Sequence, residues 1–218
     1  FRAISFFMTY GYFPKIPSPY TNIKKINPGS YSEICLTSKE IKSHQFWNIK
    51  DYKNFNKKQN PLIFTKSNRH QNKIEELIFK SIESQLNADV NVAVLLSGGI
   101  DSGLVTAIAS KIKPDIEAFT VKFDDKDFDE SINAIQIANH LKVKHKILKV
   151  DPPTFNELKE LLKKIDEPFA DSSLIPTSLI CKYVSSDYKV ALSGDGGDEL
   201  FGGYTHYKWC RRQIISRK

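Results

Sequence analysis

The sequence predicts an α/β domain: a parallel sheet with helices on both faces, preceded by a smaller β-rich segment. Three observations carry that prediction. From Asn68 onward four strand-like runs, "NVAVLL", "IEAFTV", "HKILKV" and "KVAL", are each separated from the next by helical patterns. Before residue 60 the chain instead carries aromatics, prolines and short β-like runs without a helical period. The first and last strand-like runs lead straight into glycine-rich turns, as expected where ligands meet the carboxyl ends of parallel strands.

The elements follow in order. The stretch "FFMTYGYFPKIPSPY" (Phe6–Tyr20) is aromatic and quickly broken by glycine and proline, and reads as short β-like structure. Asn27-Pro28-Gly29 reads as a turn, and "HQFWNI" (His44–Ile49) as another β-like run. "KDYKNFNKKQNP" (Lys50–Pro61) is polar and basic, the composition of a linker. Ile74, Leu77, Ile78, Ile82 and Leu86 then fall on one helix stripe and are expected to be core. The strand Asn91–Leu96 precedes a helix over about Gly103–Ile112, and the strand Ile116–Val121 precedes a helix over about Asp129–Leu141, with Ile132, Ile135 and Ile137 among its apolar positions. His145–Val150 reads as a strand, Thr154–Ile165 as a helix, Pro176–Ser186 as a helix and Lys189–Leu192 as the last strand. Strands with a helix between each pair imply right-handed βαβ crossovers. The chemistry is therefore sought just after Leu96, Val121, Val150 and Leu192.

The bulk properties narrow the classes. Of 218 residues, 40% are hydrophobic and 26% charged, ordinary values for a soluble globular chain. No run approaches the ~20 apolar residues of a membrane span. Neither a signal peptide nor a disulfide framework is evident, since Cys35, Cys181 and Cys210 are odd in number and far apart; the expected compartment is the cytoplasm. The net charge of +7 invites a nucleic-acid reading, but the lysines are scattered and the densest cationic stretch, Trp209–Lys218, lies at the end. No nucleic-acid or membrane partner is expected. His44, His70, His140, His145 and His206 show no ligand spacing and receive no catalytic or metal role. The chain begins without Met and stops in what reads as a helix, which suggests a piece of a longer polypeptide.

Two loops carry the candidate chemistry. "SGGIDSG" follows Leu96 directly. It lacks the lysine of a GxxxxGK[ST] loop, and its adjacent Gly98 and Gly99 do not make G-x-G-x-x-G. What it offers is inward-turned backbone N–H groups, the hydroxyls of Ser97 and Ser102, and a helix N-terminus, which together suit an anion such as pyrophosphate. Asp101 would repel that anion unless Mg²⁺ bridges them. The plainer alternative is a turn in which the glycines only permit the backbone and Asp101 caps the helix. The second loop, "LSGDGGDELFGGY" (Leu192–Tyr204), packs Asp195, Asp198 and Glu199 among five glycines, a clustering of like charge that calls for a cation. An EF-hand ladder is absent, and a solvated acidic turn is the plainer alternative. Between the loops, "DEPFADSSLIPT" (Asp166–Thr177) could wall a substrate pocket or be an ordinary capped connection.

Together "LLSGGIDS", "DEPFADSSLIPT" and "ALSGDGGDELFGGY", in this order, resemble the synthetase domain of glutamine-hydrolysing asparagine synthetases. Upstream, "FFMTYGYFP", "IKKINPGSY" and "FWNI" resemble the closing segment of that family's N-terminal glutaminase domain. The resemblance implies an adenine nucleotide α-hydrolase-like (ATP pyrophosphatase) fold over 68–218, cut short at its C-terminus. Residues 1–60 would be the end of an N-terminal nucleophile glutaminase domain plus a linker. It implies that Ser97, Gly98, Gly99, Asp101 and Ser102 hold pyrophosphate and Mg²⁺. Leu96 and Val121 would flank adenine and ribose, with Ser193 and Gly194 at the nucleotide. Asp195 and Asp198 would serve Mg²⁺ and the reacting acyl-adenylate, with Tyr204 close by. The implied ligands are ATP, Mg²⁺, aspartate and glutamine-derived ammonia, and the family allows a homodimer. The implied reaction is attack of the aspartate β-carboxylate on the α-phosphorus of ATP, followed by displacement of AMP by ammonia. Cys35 does not match the family's N-terminal nucleophile. A related amidotransferase acting on another carboxylate, or a non-catalytic nucleotide-binding module, remain the alternatives.

Overall fold

The computed structural model describes residues 2–14, 18–52, 68–124, 129–207 and 209. Helix α1 spans Arg2–Tyr10, where β-like structure was expected. No glycine or proline interrupts these nine residues, and the aromatic rings stack along the helix, Phe6 on Tyr10 at 5.8 Å. The helix stops at Gly11, whose φ of +77° suits a terminating glycine and whose N–H donates to Phe7 O at 2.8 Å. Strands β1 (Ser30–Ile34) and β2 (Ile41–Gln45) form an antiparallel hairpin. The expected turn at Asn27-Pro28-Gly29 leads into it, and the Gly29 carbonyl accepts from the N–H groups of Phe46 and Trp47. Only the first two residues of "HQFWNI" are strand; Ile49–Tyr52 is a 3-10 turn. Residues 53–67, most of the expected linker, lie outside the described residues, as do 210–218.

By backbone proximity the chain divides into two units, Phe1–Ser67 with Lys159–Ser172, and Asn68–Leu158 with Ser173–Lys218. In the first, Ala170 N–H donates to Gly11 O at 2.8 Å and Tyr20 OH to Asp166 O at 2.8 Å. Lys25 ion-pairs with Glu167 and donates to Phe13 O at 2.7 Å.

The second unit holds helix α2 (Asn68–Leu86), strand β3 (Val92–Leu95), α3 (Ile100–Ile112), β4 (Glu117–Lys122), α4 (Ser131–Leu141) and β5 (Lys144–Lys149). Then come α5 (Phe155–Leu162), α6 (Leu174–Val184), β6 (Val190–Leu192) and α7 (Gly197–Phe201). The four strands β5-β4-β3-β6 are all parallel, so the alternation read from the sequence is the architecture observed. Alternation along each strand sends residues to two different cores. Val92, Val94 and Leu96 join Ile82 and Leu86 of α2, Ile108 of α3 and Ala134 and Ala138 of α4. Ala93 and Phe119 point the other way, onto Ile180 and Val184 of α6. Both faces are therefore covered, as a parallel sheet requires.

The stripe on α2 is only partly core. Ile82 and Leu86 are buried, whereas Ile74 and Leu77 are exposed, because the sheet reaches only the C-terminal half of the helix. On α4 small residues carry the packing: Ser131, Ala134 and Ala138 are buried, while Ile132 is exposed. No helix of the described residues is long and apolar enough to cross a membrane.

Candidate active site

Pairing of β3 with β6 sets the two glycine-rich loops side by side. Val94 is in register with Leu192, so the residues after Leu96 and after Leu192 leave the same edge of the sheet. A cavity of about 760 Å³ opens there.

The first loop is tighter than expected, since α3 begins at Ile100 rather than near Gly103. Gly98 has a φ of +89°, and a β-carbon on it would meet Glu130 O at 2.7 Å. Only glycine lets the chain reverse here without strain or collision. Gly99 is the N-cap of α3 and supplies no side-chain cap, and Asp101 does not cap the helix either. The first N–H groups of the helix consequently lack the side-chain acceptor a serine or aspartate cap would give. The two serines organise the loop. Ser102 is buried; its hydroxyl donates to Gly99 O at 3.3 Å and accepts from Ser97 N–H at 3.2 Å. The exposed Ser97 hydroxyl lies 3.0 Å from it and accepts from Gly99 N–H at 3.3 Å.

The second loop closes over the first. Gly194 lies so near that a β-carbon on it would stand 2.7 Å from Ser102 N, and one on Gly197 would stand 2.7 Å from both carboxylate oxygens of Asp101. Ser193 donates its hydroxyl to Asp195 Oδ2 at 2.9 Å and so sets the direction of that carboxylate. The carbonyl of Asp198 accepts from Gly202 and Gly203 N–H at 2.8 and 3.1 Å, and its carboxylate lies against Gly203. Tyr204 donates its hydroxyl to Glu199 Oε1 at 2.7 Å. That carboxylate pushes the phenol up to about 12, and the same bond holds the Glu199 carboxyl below its ordinary range.

Of the residues singled out in the sequence, Leu96, Ser97, Gly99, Asp101, Ser102 and Val121 line the cavity from one side. Ser193, Gly194, Asp195 and Asp198 line it from the other. Gly98 and Tyr204 are not in the lining; Gly98 shapes the turn from behind, and the hydroxyl of Tyr204 is spent on Glu199. From "DEPFADSSLIPT", Pro176 and Thr177 line the wall.

The sequence reading passed over Phe119, Phe123, Gly197 and Ile180, which also line the cavity. Phe123 had a signal, lying two residues beyond Val121 at a strand end. Gly197 had none, because its role depends on Asp101, far away in the chain.

Among the described residues no three His, Cys, Asp or Glu side chains gather as a metal cluster. The donor set nevertheless fits Mg²⁺ held jointly with phosphates, which needs only one or two carboxylates and hard oxygen ligands. Asp101 and Asp198 both face the cavity, and no described residue pairs with either carboxylate.

The sequence profile of the family described as asparagine synthase matches residues 73–216, more than half of the chain. The chain belongs to the asparagine synthase family. This asparagine synthase family chain is 30% identical over 208 residues to asparagine synthetase [glutamine-hydrolyzing] 1 of Bacillus subtilis, covering 95% of the chain and 31% of that protein. It is 29% identical over 201 residues to asparagine synthetase [glutamine-hydrolyzing] 2 of the same organism, covering 85% of the chain and 26% of that protein. The chain thus spans about a third of the length of these curated relatives. Among solved structures it is similar to a glutamine-dependent NAD+ synthetase from Acinetobacter baumannii in complex with ADP. That similarity has a TM-score of 0.46 at 20% identity, covering 61% of this chain and 27% of that one.

Proposed function

We propose that the cavity at the ends of β3 and β6 binds ATP and activates the β-carboxylate of aspartate as an acyl-adenylate, which ammonia then converts to asparagine. The single observation that carries this reading is the juxtaposition of the two loops. One offers an uncapped helix N-terminus with two serine hydroxyls, and the other brings Asp195 and Asp198 to the same cavity.

The chemistry follows from which group departs. A carboxylate oxygen of aspartate attacks the α-phosphorus, the bond to the β,γ-diphosphate breaks, and pyrophosphate leaves with its negative charge. Backbone N–H groups at the start of α3 and the exposed hydroxyl of Ser97, held by Ser102, lie where they can take up that charge as it grows, with no lysine required. Asp101 and Asp198, with Asp195, would hold Mg²⁺, which when bound neutralises the phosphate oxygens against these acids. Val121, at the end of β4, offers apolar surface to adenine and ribose, with the buried Leu96 behind the same wall. In the second step ammonia attacks the acyl carbon and AMP leaves with the former carboxylate oxygen. In the full-length protein glutamine hydrolysis would supply the ammonia.

The test is pyrophosphate release by the full-length protein. It is expected to require ATP, Mg²⁺ and aspartate together, and to fall to background when Ser97→Ala and Asp195→Ala are combined. Release that ignores aspartate, or survives both substitutions, would sink the reading.

A further inference from the structure

Leu96 is the last residue before the anion-binding loop, and β4 holds it by two groups. Its N–H donates to Phe119 O at 2.8 Å, and its carbonyl accepts the Thr120 hydroxyl at 2.5 Å. The peptide joining Leu96 to Ser97 is pinned at its other end too, because Ser97 N–H donates to Ser102 Oγ at 3.2 Å. Carbonyl and N–H of that one rigid plane are thus tied to different elements, β4 and α3.

Thr120 is itself held. It is buried at 2% exposure, and His145 Nε2 lies 2.7 Å from its oxygen. A hydroxyl has one proton to give, and the Leu96 carbonyl can only accept it. The imidazole is therefore the donor of the second bond and carries its hydrogen on Nε2. The strand register explains the contact: His145 pairs with Ala118, two residues from Thr120 on the same face of the sheet. Burial pushes the imidazole below its ordinary value, which keeps it neutral and the tautomer defined.

We propose that Thr120 and His145 are positioning residues for the loop: the chain of bonds from His145 through Thr120 to the Leu96 carbonyl sets the entry into Ser97, and with it the aim of the Ser97 hydroxyl and the α3 N-terminus at the diphosphate of a nucleoside triphosphate. The inference rests on reading that loop as the diphosphate site. Neither residue lines the cavity, so both act through the backbone of Leu96.

The experiment measures equilibrium binding of Mg·ATP and of inorganic pyrophosphate to the full-length protein, together with steady-state kinetics. Thr120→Val keeps the shape of the side chain and strips the hydroxyl. It is expected to weaken both ligands by about tenfold, the order set by one buried hydrogen bond. KM for ATP rises with it, while KM for aspartate stays. Thr120→Ser restores wild-type binding to within about twofold, since it returns the hydroxyl. His145→Leu, at a half-buried position that leaves the core intact, shifts the same quantities in the same direction, and His145→Gln recovers part of the loss. Combined with Thr120→Val, His145→Leu adds nothing, because the two act as one unit.

Unchanged binding in both His145→Leu and Thr120→Val, or a Thr120→Ser variant no better than Thr120→Val, would overturn the proposal. The two readings fail separately. Weakened Mg·ATP binding in a protein that releases no pyrophosphate with aspartate upholds the positioning and removes the aspartate assignment. Unchanged binding in a protein that does turn over aspartate does the reverse.

Discussion

The backbone of Gly197 lies directly beneath the carboxylate of Asp101, with room for a hydrogen and none for a methyl group. The two residues come from different loops, so the second loop packs directly against the acid of the first. Gly197 has ordinary helical backbone, and alanine there carries no conformational penalty of its own. Gly197→Ala should therefore act chiefly through Asp101, the group its methyl would strike first. We expect Mg·ATP affinity to fall by about tenfold, or about 1.4 kcal/mol, with little change in melting temperature. Added to Asp101→Ala, the substitution should cost nothing further. Calorimetric titration of the four proteins checks this, and simple additivity would refute it.

Gly98 and Gly196 separate strain from collision. Both have φ near +90°, but a β-carbon on Gly196 would meet nothing within 4 Å, whereas one on Gly98 would strike Glu130 O. Gly196→Ala should cost about 1–2 kcal/mol, the penalty of a left-handed backbone alone. Gly98→Ala should cost visibly more. Urea denaturation of the two variants gives the order, and equal losses would mean that Glu130 yields freely.

Much of this arrangement was legible in advance, for a physical reason. Val92, Val94 and Leu96 are apolar because both faces of the sheet are covered, so the strand stood out as an uninterrupted run. The loops stood out because glycine and aspartate cluster in them, directly after strand-like runs. The errors arose where tertiary packing decided the matter. Phe6 and Tyr10 favour strands by propensity, yet stack one helical turn apart in α1. Ile74 and Ile132 have the right spacing for a core, yet no element of the described residues covers them. The assignment of Tyr204 is of another kind: it lies outside the cavity lining, and its hydroxyl donates to Glu199.

That bond predicts a titration. Tyr204 should ionise at about 12, above the ordinary 10.0, and return towards the ordinary value in Glu199→Gln. Since the folded-state value is raised, its contribution to stability is complete below pH 10 and disappears as the pH climbs through about 12. Glu199 has the opposite sign: its value is lowered, so its share is present above the ordinary 4.5 and vanishes as the pH falls through the lowered value. NMR of ¹³C-labelled tyrosine resolves the site, using Tyr204→Phe for assignment. A phenol titrating near 10 in the unmodified protein would contradict the bond.

Phe119 serves both the core and the cavity. It is buried at 2% exposure, meets Tyr188 edge-on at 5.5 Å, and lines the cavity wall. Phe119→Ala should lower stability by about 3–5 kcal/mol, with Phe119→Leu costing less. Denaturant midpoints check the order, and a loss under about 1 kcal/mol for alanine would show that the site collapses to fill the space.

The neighbouring strands β3 and β6 stand far apart in the sequence. On a ribosome, the serine loop emerges long before the acidic loop that completes it. At about 5–20 residues per second, the wait is about 5–20 seconds. Throughout that interval the edge of β3 that β6 will cover has no partner, and Asp101 has no glycine beneath it. If the site holds nucleotide as proposed, the nascent chain gains that competence only once β6 docks beside β3, as a late, single event in the birth of the molecule.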